Sequence, residues 1–122
     1  MLERNFQSDL VRQLTKVGAL ILNVHGHAMQ KSGWPDLFVA HVLWYGWIEL
    51  KRETEVMTQL QKFRIKDLRD RGVDALCVRF QVQDEVVWIY AEDDKGTDLR
   101  EPIVWSAKMD GLEIMRWLAQ GC

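Results

Sequence analysis

Apolar residues near the start of the chain recur at every fourth position, the stripe of an amphipathic helix: Leu2, Phe6, Leu10 and Leu14. This stripe predicts a helix over residues 2–17 that ends at Gly18. Thr58 and Gln61 have the spacing of a capping box, which predicts that a second helix follows them. We expect the apolar residues of this helix to cover one side: Leu60, Phe63, Ile65 and Leu68. A last helix is predicted over residues 111–120, with three residues facing inward: Leu112, Met115 and Leu118.

Short apolar runs between these helices predict β-strands. The runs lie at residues 19–24, 37–41, 47–51, 75–80 and 86–90. Tyr45-Gly46 and Asp84-Glu85 mark expected turns, and Ile103–Trp105 is a candidate for one more short strand. Residues 91–101 are polar and acidic, which predicts an exposed loop. The resulting order, α-β-β-β-α-β-β-α, is that of one mixed α/β domain spanning residues 1–122.

Composition and charge exclude several classes of protein. With 122 residues, 48% of them hydrophobic, the chain has enough material for one packed domain and is too apolar for a disordered one. The net charge of -2 excludes a uniformly basic surface, so any binding of nucleic acid needs a local patch. Two cysteines and no secretory leader favour a reducing, cytoplasmic setting. The longest apolar run, residues 37–48, is too short to span a bilayer, and no membrane partner is expected.

The candidate chemistry lies in Pro35-Asp36 and in Glu49-Leu50-Lys51. Because strand side chains alternate between faces, Glu49 and Lys51 project on the same side, about 7 Å apart along the strand. If the strand that follows Asp36 forms a hairpin with this one, the two carboxylates converge beside the Leu50 carbonyl. Such oxygen ligands suit Mg²⁺, and a lysine beside them can stabilise charge on a phosphate. An E-x-K pair is also typical of a solvated strand edge, and that alternative stays open.

Three segments of the chain, in this order, carry a resemblance to a known family: Gly33-Trp34-Pro35-Asp36-Leu37, Ile48-Glu49-Leu50-Lys51-Arg52 and Thr58-x-x-Gln61. They resemble the PD-(D/E)XK nuclease superfamily and, within it, the small stand-alone phage and bacterial members of the VRR-NUC family. Two further segments are similar to the first helix and to the V-R strand of that family: Glu3-x-x-Phe6-Gln7 and Ala75-Leu76-Cys77-Val78-Arg79. The motif-bearing core spans about residues 3–90, and residues 91–122 form an extension without a match.

The resemblance implies a restriction-endonuclease-like core, a mixed central sheet flanked by helices, and DNA cleavage that depends on Mg²⁺ or Mn²⁺. Carried over residue by residue, Asp36 and Glu49 are metal ligands together with the Leu50 carbonyl, and Lys51 is the catalytic lysine. Gln61 resembles the active-site glutamine of the family. Glu3 resembles the first-helix glutamate, which binds a second metal through water.

The resemblance also implies the partners of the chain. Stand-alone members are similar to Holliday junction resolvases and form homodimers, so we expect branched DNA, a homodimer, and the cytoplasm of a bacterium or a phage-infected cell. Five aromatic residues are candidates for the dimer interface, unless they all pack within the monomer: Trp44, Tyr45, Trp47, Trp105 and Trp117. A non-specific DNA-nicking nuclease and a non-catalytic DNA-binding or packaging-associated module remain alternatives.

Basic residues near the motifs are candidates for DNA contacts. Lys62, Lys66 and Arg69 share one helix stripe in a segment, residues 51–71, with seven basic and four acidic residues. Three further candidates lie outside the stripe: Arg52, His25 and His27. The alternative for the stripe is a solvated face that neighbouring acids neutralise, and the alternative for the histidines is an exposed polar loop. Residues 84–101 hold seven acids against two basic residues, so DNA should avoid them.

Overall fold

The computed structural model describes residues 3–24 and 33–120, and within them the side chains from Asn5 onward. In chain order the elements are α1 (Glu3–Lys16), β1 (Leu20–Asn23), β2 (Leu37–Ala40), β3 (Tyr45–Arg52), α2 (Gln59–Asp70), β4 (Ala75–Gln83), β5 (Val86–Glu92), β6 (Ile103–Trp105) and α3 (Gly111–Ala119). The mixed α/β class is confirmed. No helix in this part of the chain is long and apolar enough to cross a membrane.

The strands form a single mixed sheet whose spatial order follows the chain, β1 to β6. Every neighbouring pair is antiparallel except β3 and β4, which are parallel and are joined by the crossover through α2. The predicted order counted five strands and left Ile103–Trp105 as a candidate. In the structure this segment pairs with β5 and forms a sixth strand, β6, at the edge of the sheet. Helix α2, which connects the two parallel strands, begins a few residues after the end of β3.

The two faces of the sheet are covered unequally. Helices α1 and α3 contact each other and pack on one face, where the main core contains Ile48 and Leu50 of β3. Helix α2 packs on the other face, over a small cluster of buried residues: Met57, Ile65, Ala75 and Cys77. Since strand residues alternate, Glu49 and Lys51 lie on the face that α2 covers. The smaller core therefore borders the candidate site.

The segment that carries β6 and α3 belongs to the main core. Gln13 of α1 is buried; its Oε1 accepts a hydrogen bond from Trp105 Nε1 at 2.9 Å. Its Nε2 donates to the carbonyls of Ser106 (2.7 Å) and Met109 (3.2 Å). These bonds satisfy the amide of Gln13 and join residues more than ninety positions apart in the sequence.

Some of the sequence predictions were wrong in detail. Tyr45 and Gly46 lie within β3, because the turn is formed by residues 41–44. Of the four apolar residues predicted to cover one side of α2, Ile65 alone is fully buried, because the helix packs on β4 and leaves its outer side uncovered. The interface role of three tryptophans is not supported, since Trp44, Trp105 and Trp117 are buried in the monomer. Trp47 is half-buried and Tyr45 is exposed.

Cys77 provides a test of the smaller core. It pairs with Glu49 across β3 and β4, and burial raises the pKa of its thiol from near 9 to about 12. In a Cys122→Ser variant, we expect a thiol reagent at pH 8 to label Cys77 about a thousandfold more slowly than in urea, which is the ratio of the two thiolate fractions. The Cys77 thiol ionises at a lower pH in the unfolded chain than in the folded protein. Raising the pH from about 9 to about 12 therefore lowers the free energy of unfolding. Equal labelling rates with and without urea would contradict the burial.

Candidate active site

The candidate site forms where β2 and β3 pair. Leu37 pairs with Ile48, so that Asp36, one residue earlier, comes opposite Glu49. The predicted hairpin therefore brings the two carboxylates to facing positions. Both residues are buried, with 6% of Asp36 and 2% of Glu49 exposed.

Asp36 is fixed by the backbone of β3. The backbone N–H of Leu50 donates a hydrogen bond to Asp36 Oδ2 at 2.7 Å. The side chain of Leu50 itself points into the main core, where it is fully buried. The peptide group of Leu50 therefore borders the two carboxylates, and a role for its carbonyl as a metal ligand stays a prediction.

Glu49 is the centre of the side-chain contacts. Its Oε2 lies 3.0 Å from Gln61 Nε2, which donates to it, and 3.5 Å from Lys51 Nζ. Lys51 and Gln61 therefore both contact the same oxygen atom, Glu49 Oε2. Lys51 is mostly buried, so its ammonium group is held close to the carboxylate with little competition from water.

The capping box of α2 sets the orientation of Gln61. The backbone N–H of Gln61 donates to Thr58 Oγ1 at 3.1 Å, and the backbone N–H of Thr58 donates to Gln61 Oε1 at 2.9 Å. Because Oε1 accepts that bond, the Nε2 group is turned toward Glu49. One side chain therefore caps the helix and binds the site, which the capping-box pattern alone did not predict.

Arg79 is a supporting residue that the sequence analysis placed only within the V-R segment. It pairs with Lys51 across β3 and β4, and its Nε donates to Glu92 Oε1 at 3.1 Å. Its Nη1 donates to the carbonyls of Glu53 (3.0 Å) and Glu55 (2.6 Å). These bonds hold the connection between β3 and α2, and thereby the position of Gln61. The available signal was a single arginine inside the otherwise apolar run of residues 75–80.

The predicted DNA-binding residues have acidic neighbours. Lys66 Nζ lies 2.6 Å from Asp70 Oδ2, and Arg69 Nη1 lies 3.1 Å from Asp74 Oδ1. The pKa of Lys66 is raised, mainly by its hydrogen bond to Asp70. The stripe is therefore largely neutralised by its own surroundings, which was the alternative left open from the sequence.

The other predicted contacts fall in three groups. Arg52 lies 3.9 Å from Glu55 in an exposed pair. Lys62 lines a groove of about 340 Å³ in which acidic residues of β5 and the following loop also lie. His25 and His27 fall outside the described residues. Glu3 is the first residue of α1, and its side chain is likewise outside the description.

The donor atoms at this site suit a hard divalent cation. Asp36 and Glu49 offer carboxylate oxygens, and Mg²⁺ is commonly bound by one or two carboxylates with waters and phosphate oxygens completing its shell. Among the side chains described, no three of the His, Cys, Asp and Glu type form a cluster that would hold a metal on their own. A metal bound here thus needs backbone, water or substrate oxygens as well.

Comparison with known proteins identifies the fold. No protein-family model and no curated protein matches this chain. Among solved structures it is similar to Hjc of Archaeoglobus fulgidus, described as a Holliday junction resolvase from an archaeal hyperthermophile. The two share a TM-score of 0.50 and 20% sequence identity over 71% of this chain and 73% of that one. The fold is therefore restriction-endonuclease-like, as expected.

Proposed function

We propose that this chain is a divalent-metal-dependent endonuclease that hydrolyses phosphodiester bonds in DNA, of the VRR-NUC type. The observation that carries the proposal is the burial of Asp36 and Glu49 at facing strand positions, with Lys51 and Gln61 on Glu49. Two carboxylates that converge in a buried position beside a lysine and an amide form the kind of oxygen-donor set that a hard divalent cation binds, and this supports a metal-binding site.

Each residue has a distinct role in the proposed reaction. Asp36, Glu49 and the Leu50 carbonyl would hold Mg²⁺ or Mn²⁺, and Glu3 would support a second metal through water. When bound, the metal supplies Lewis-acid activation of water and neutralises phosphate charge. Lys51 stabilises the negative charge that develops on the phosphate, since its ammonium group is held at the site by Glu49. Gln61, fixed by its cap, orients the groups around Glu49.

Branched DNA is the proposed substrate, and a homodimer the proposed assembly. The fold shared with an archaeal Holliday junction resolvase supports this choice. Two sites related by a twofold axis would cut a four-way junction at equivalent positions. Exposed apolar residues at the β1 edge, in the β2–β3 turn and at the start of β3 offer an interface in place of the buried tryptophans: Leu20, Val42, Leu43 and Tyr45. Light scattering at micromolar concentration should give twice the monomer mass.

A panel of DNA substrates tests the proposal. Plain duplex, splayed-arm duplex, flap and four-way junction are each incubated with Mg²⁺, Mn²⁺ or EDTA. We expect cleavage with either metal and none with EDTA, fastest on a branched substrate. Equal cleavage of every substrate would favour the non-specific nicking nuclease. No cleavage of any substrate with either metal would favour the non-catalytic binding module.

A further inference from the structure

Helix α2 has two unlike flanks beside the candidate site. One flank carries the basic stripe, in which Lys66 and Arg69 are paired with acids. The other flank carries Leu60, Phe63 and Arg64, which share a helix face because they are three and four positions apart. This second flank faces the segment that leads into Asp36.

A cluster of aromatic rings joins that flank to the segment before Asp36. The Arg64 guanidinium lies 4.5 Å from the centroid of the Trp34 ring, and Trp34 lies 5.4 Å from Trp47, centroid to centroid. Trp34 is only two residues before Asp36. Gly33 packs against Leu60 so closely that a Cβ atom would come 2.5 Å from its Cγ. This flank of α2 therefore packs tightly against Gly33 and Trp34, which directly precede Pro35 and Asp36.

Phe63 is the part of this flank that lies open to solvent. The residue is 56% exposed, and Leu60 beside it is 43% exposed. Arg64 follows Gln61 by three positions and lies on the same side of α2, and the apolar surface of Leu60 and Phe63 lies beyond Arg64. Large apolar surface next to a site for a polar substrate suggests that the substrate has an apolar face to cover it.

Arg64 adds a positive charge to this surface. Its guanidinium carbon lies 5.9 Å from the Phe63 ring centroid and 4.5 Å from that of Trp34. Its Nε is buried without a hydrogen-bond partner, and no carboxylate pairs with it in residues 3–24 and 33–120. Unlike Lys66 and Arg69, Arg64 therefore keeps a charge available to an anion.

We propose that Phe63 is a stacking platform for an unpaired base of the DNA substrate, with Arg64 beside it to contact a phosphate. An exposed ring next to a free cation is the combination that binds single-stranded nucleic acid, because every base has a π-face and every nucleotide a phosphate. Base pairs inside a duplex do not offer that face. The inference rests on the proposed function, and it narrows the branched substrates to those with unpaired bases, such as a splayed arm or a flap.

Binding measured without metal tests this inference separately from catalysis. The probe is a splayed-arm duplex with 2-aminopurine as the first unpaired base, compared with a plain duplex, both in EDTA. For Phe63→Ala we expect roughly tenfold weaker binding of the splayed-arm DNA, a smaller loss for the duplex, and loss of the 2-aminopurine quenching. Phe63→Trp should retain the quenching, whereas Phe63→Leu, which keeps apolar surface without a ring, should lose it.

Val104→Ala is the matched control, because Val104 is an exposed apolar residue on the far edge strand β6. It should bind both probes like the wild type, and circular dichroism should show every variant folded. The inference is overturned if Phe63→Ala and Val104→Ala behave alike, or if the wild type binds neither DNA. If the 2-aminopurine is quenched as expected but the protein cuts no substrate, only the proposed nuclease activity is overturned.

Discussion

Asp36→Asn is expected to slow metal-dependent DNA cleavage by about 10²–10³-fold, the scale observed when one strongly stabilising group is removed from an active site. Asparagine has nearly the shape of aspartate, and its carbonyl oxygen can still accept the bond from the Leu50 N–H. The fold should therefore persist, while the negative charge that a divalent cation needs is lost. Single-turnover cleavage, in Mg²⁺, of the branched substrate that the wild type cuts fastest measures the effect.

Asp84→Asn is the control for that substitution. Asp84 is exposed in the β4–β5 turn, where its φ of 52° is one that asparagine adopts readily. It changes the net charge of the chain by the same amount and should cleave at the wild-type rate. The catalytic assignment would be wrong if both Asp36→Ala and Lys51→Ala left the purified protein cleaving at that rate.

Gly111→Ala is expected to lower the free energy of unfolding by about 3 kcal/mol, the upper end for overpacking a core. A Cβ atom at Gly111 would come 2.1 Å from the backbone oxygen of Gln13, and a backbone atom cannot move aside as a flexible side chain can. Helices α1 and α3 would have to separate, which disturbs the bonds of Gln13 to Trp105 and its neighbours. Thermal unfolding should show a melting temperature roughly 10 °C lower.

Gly96→Ala separates this clash from ordinary glycine strain. Gly96 has a φ of 81°, and nothing lies within 4 Å of a Cβ built there. Its replacement should cost only the strain of a left-handed residue, about 1 kcal/mol. Equal losses of stability in the two variants would mean that α1 and α3 do not approach each other as closely as the structure places them.

The predictions that succeeded rest on local rules. The two-residue period of a strand placed Glu49 and Lys51 on one face, and the antiparallel hairpin brought Asp36 opposite Glu49. The spacing of Thr58 and Gln61 predicted a capping box, which is formed as expected. Each of these features depends on residues that are close in the sequence or on one pairing of strands.

The predictions that failed depend on contacts between distant residues. Apolar spacing on α2 predicted that Leu60 and Phe63 help to cover one side of the helix, but α2 packs on β4 and leaves both residues exposed. Trp105 and Trp117 were candidates for an interface, but the open alternative holds: both are buried in the monomer, and Gln13 of α1 and Glu101 before β6 accept their indole N–H groups. Aromatic content reveals how much apolar surface a chain has, and not which surface covers it.

The sequence by itself determined the α/β class, the face of β3 that carries the carboxylate and lysine, and the cap of α2, because strand period and capping act over a few residues. Only the tertiary structure decided that Gln61 donates to Glu49 and that Arg79 holds the connection before α2. It also decided that Lys66 and Arg69 pair with acids, whereas Arg64 pairs with no carboxylate among the described residues. Those outcomes depend on which elements pack together. Packing is decided by burial over the whole chain, and no local pattern encodes it.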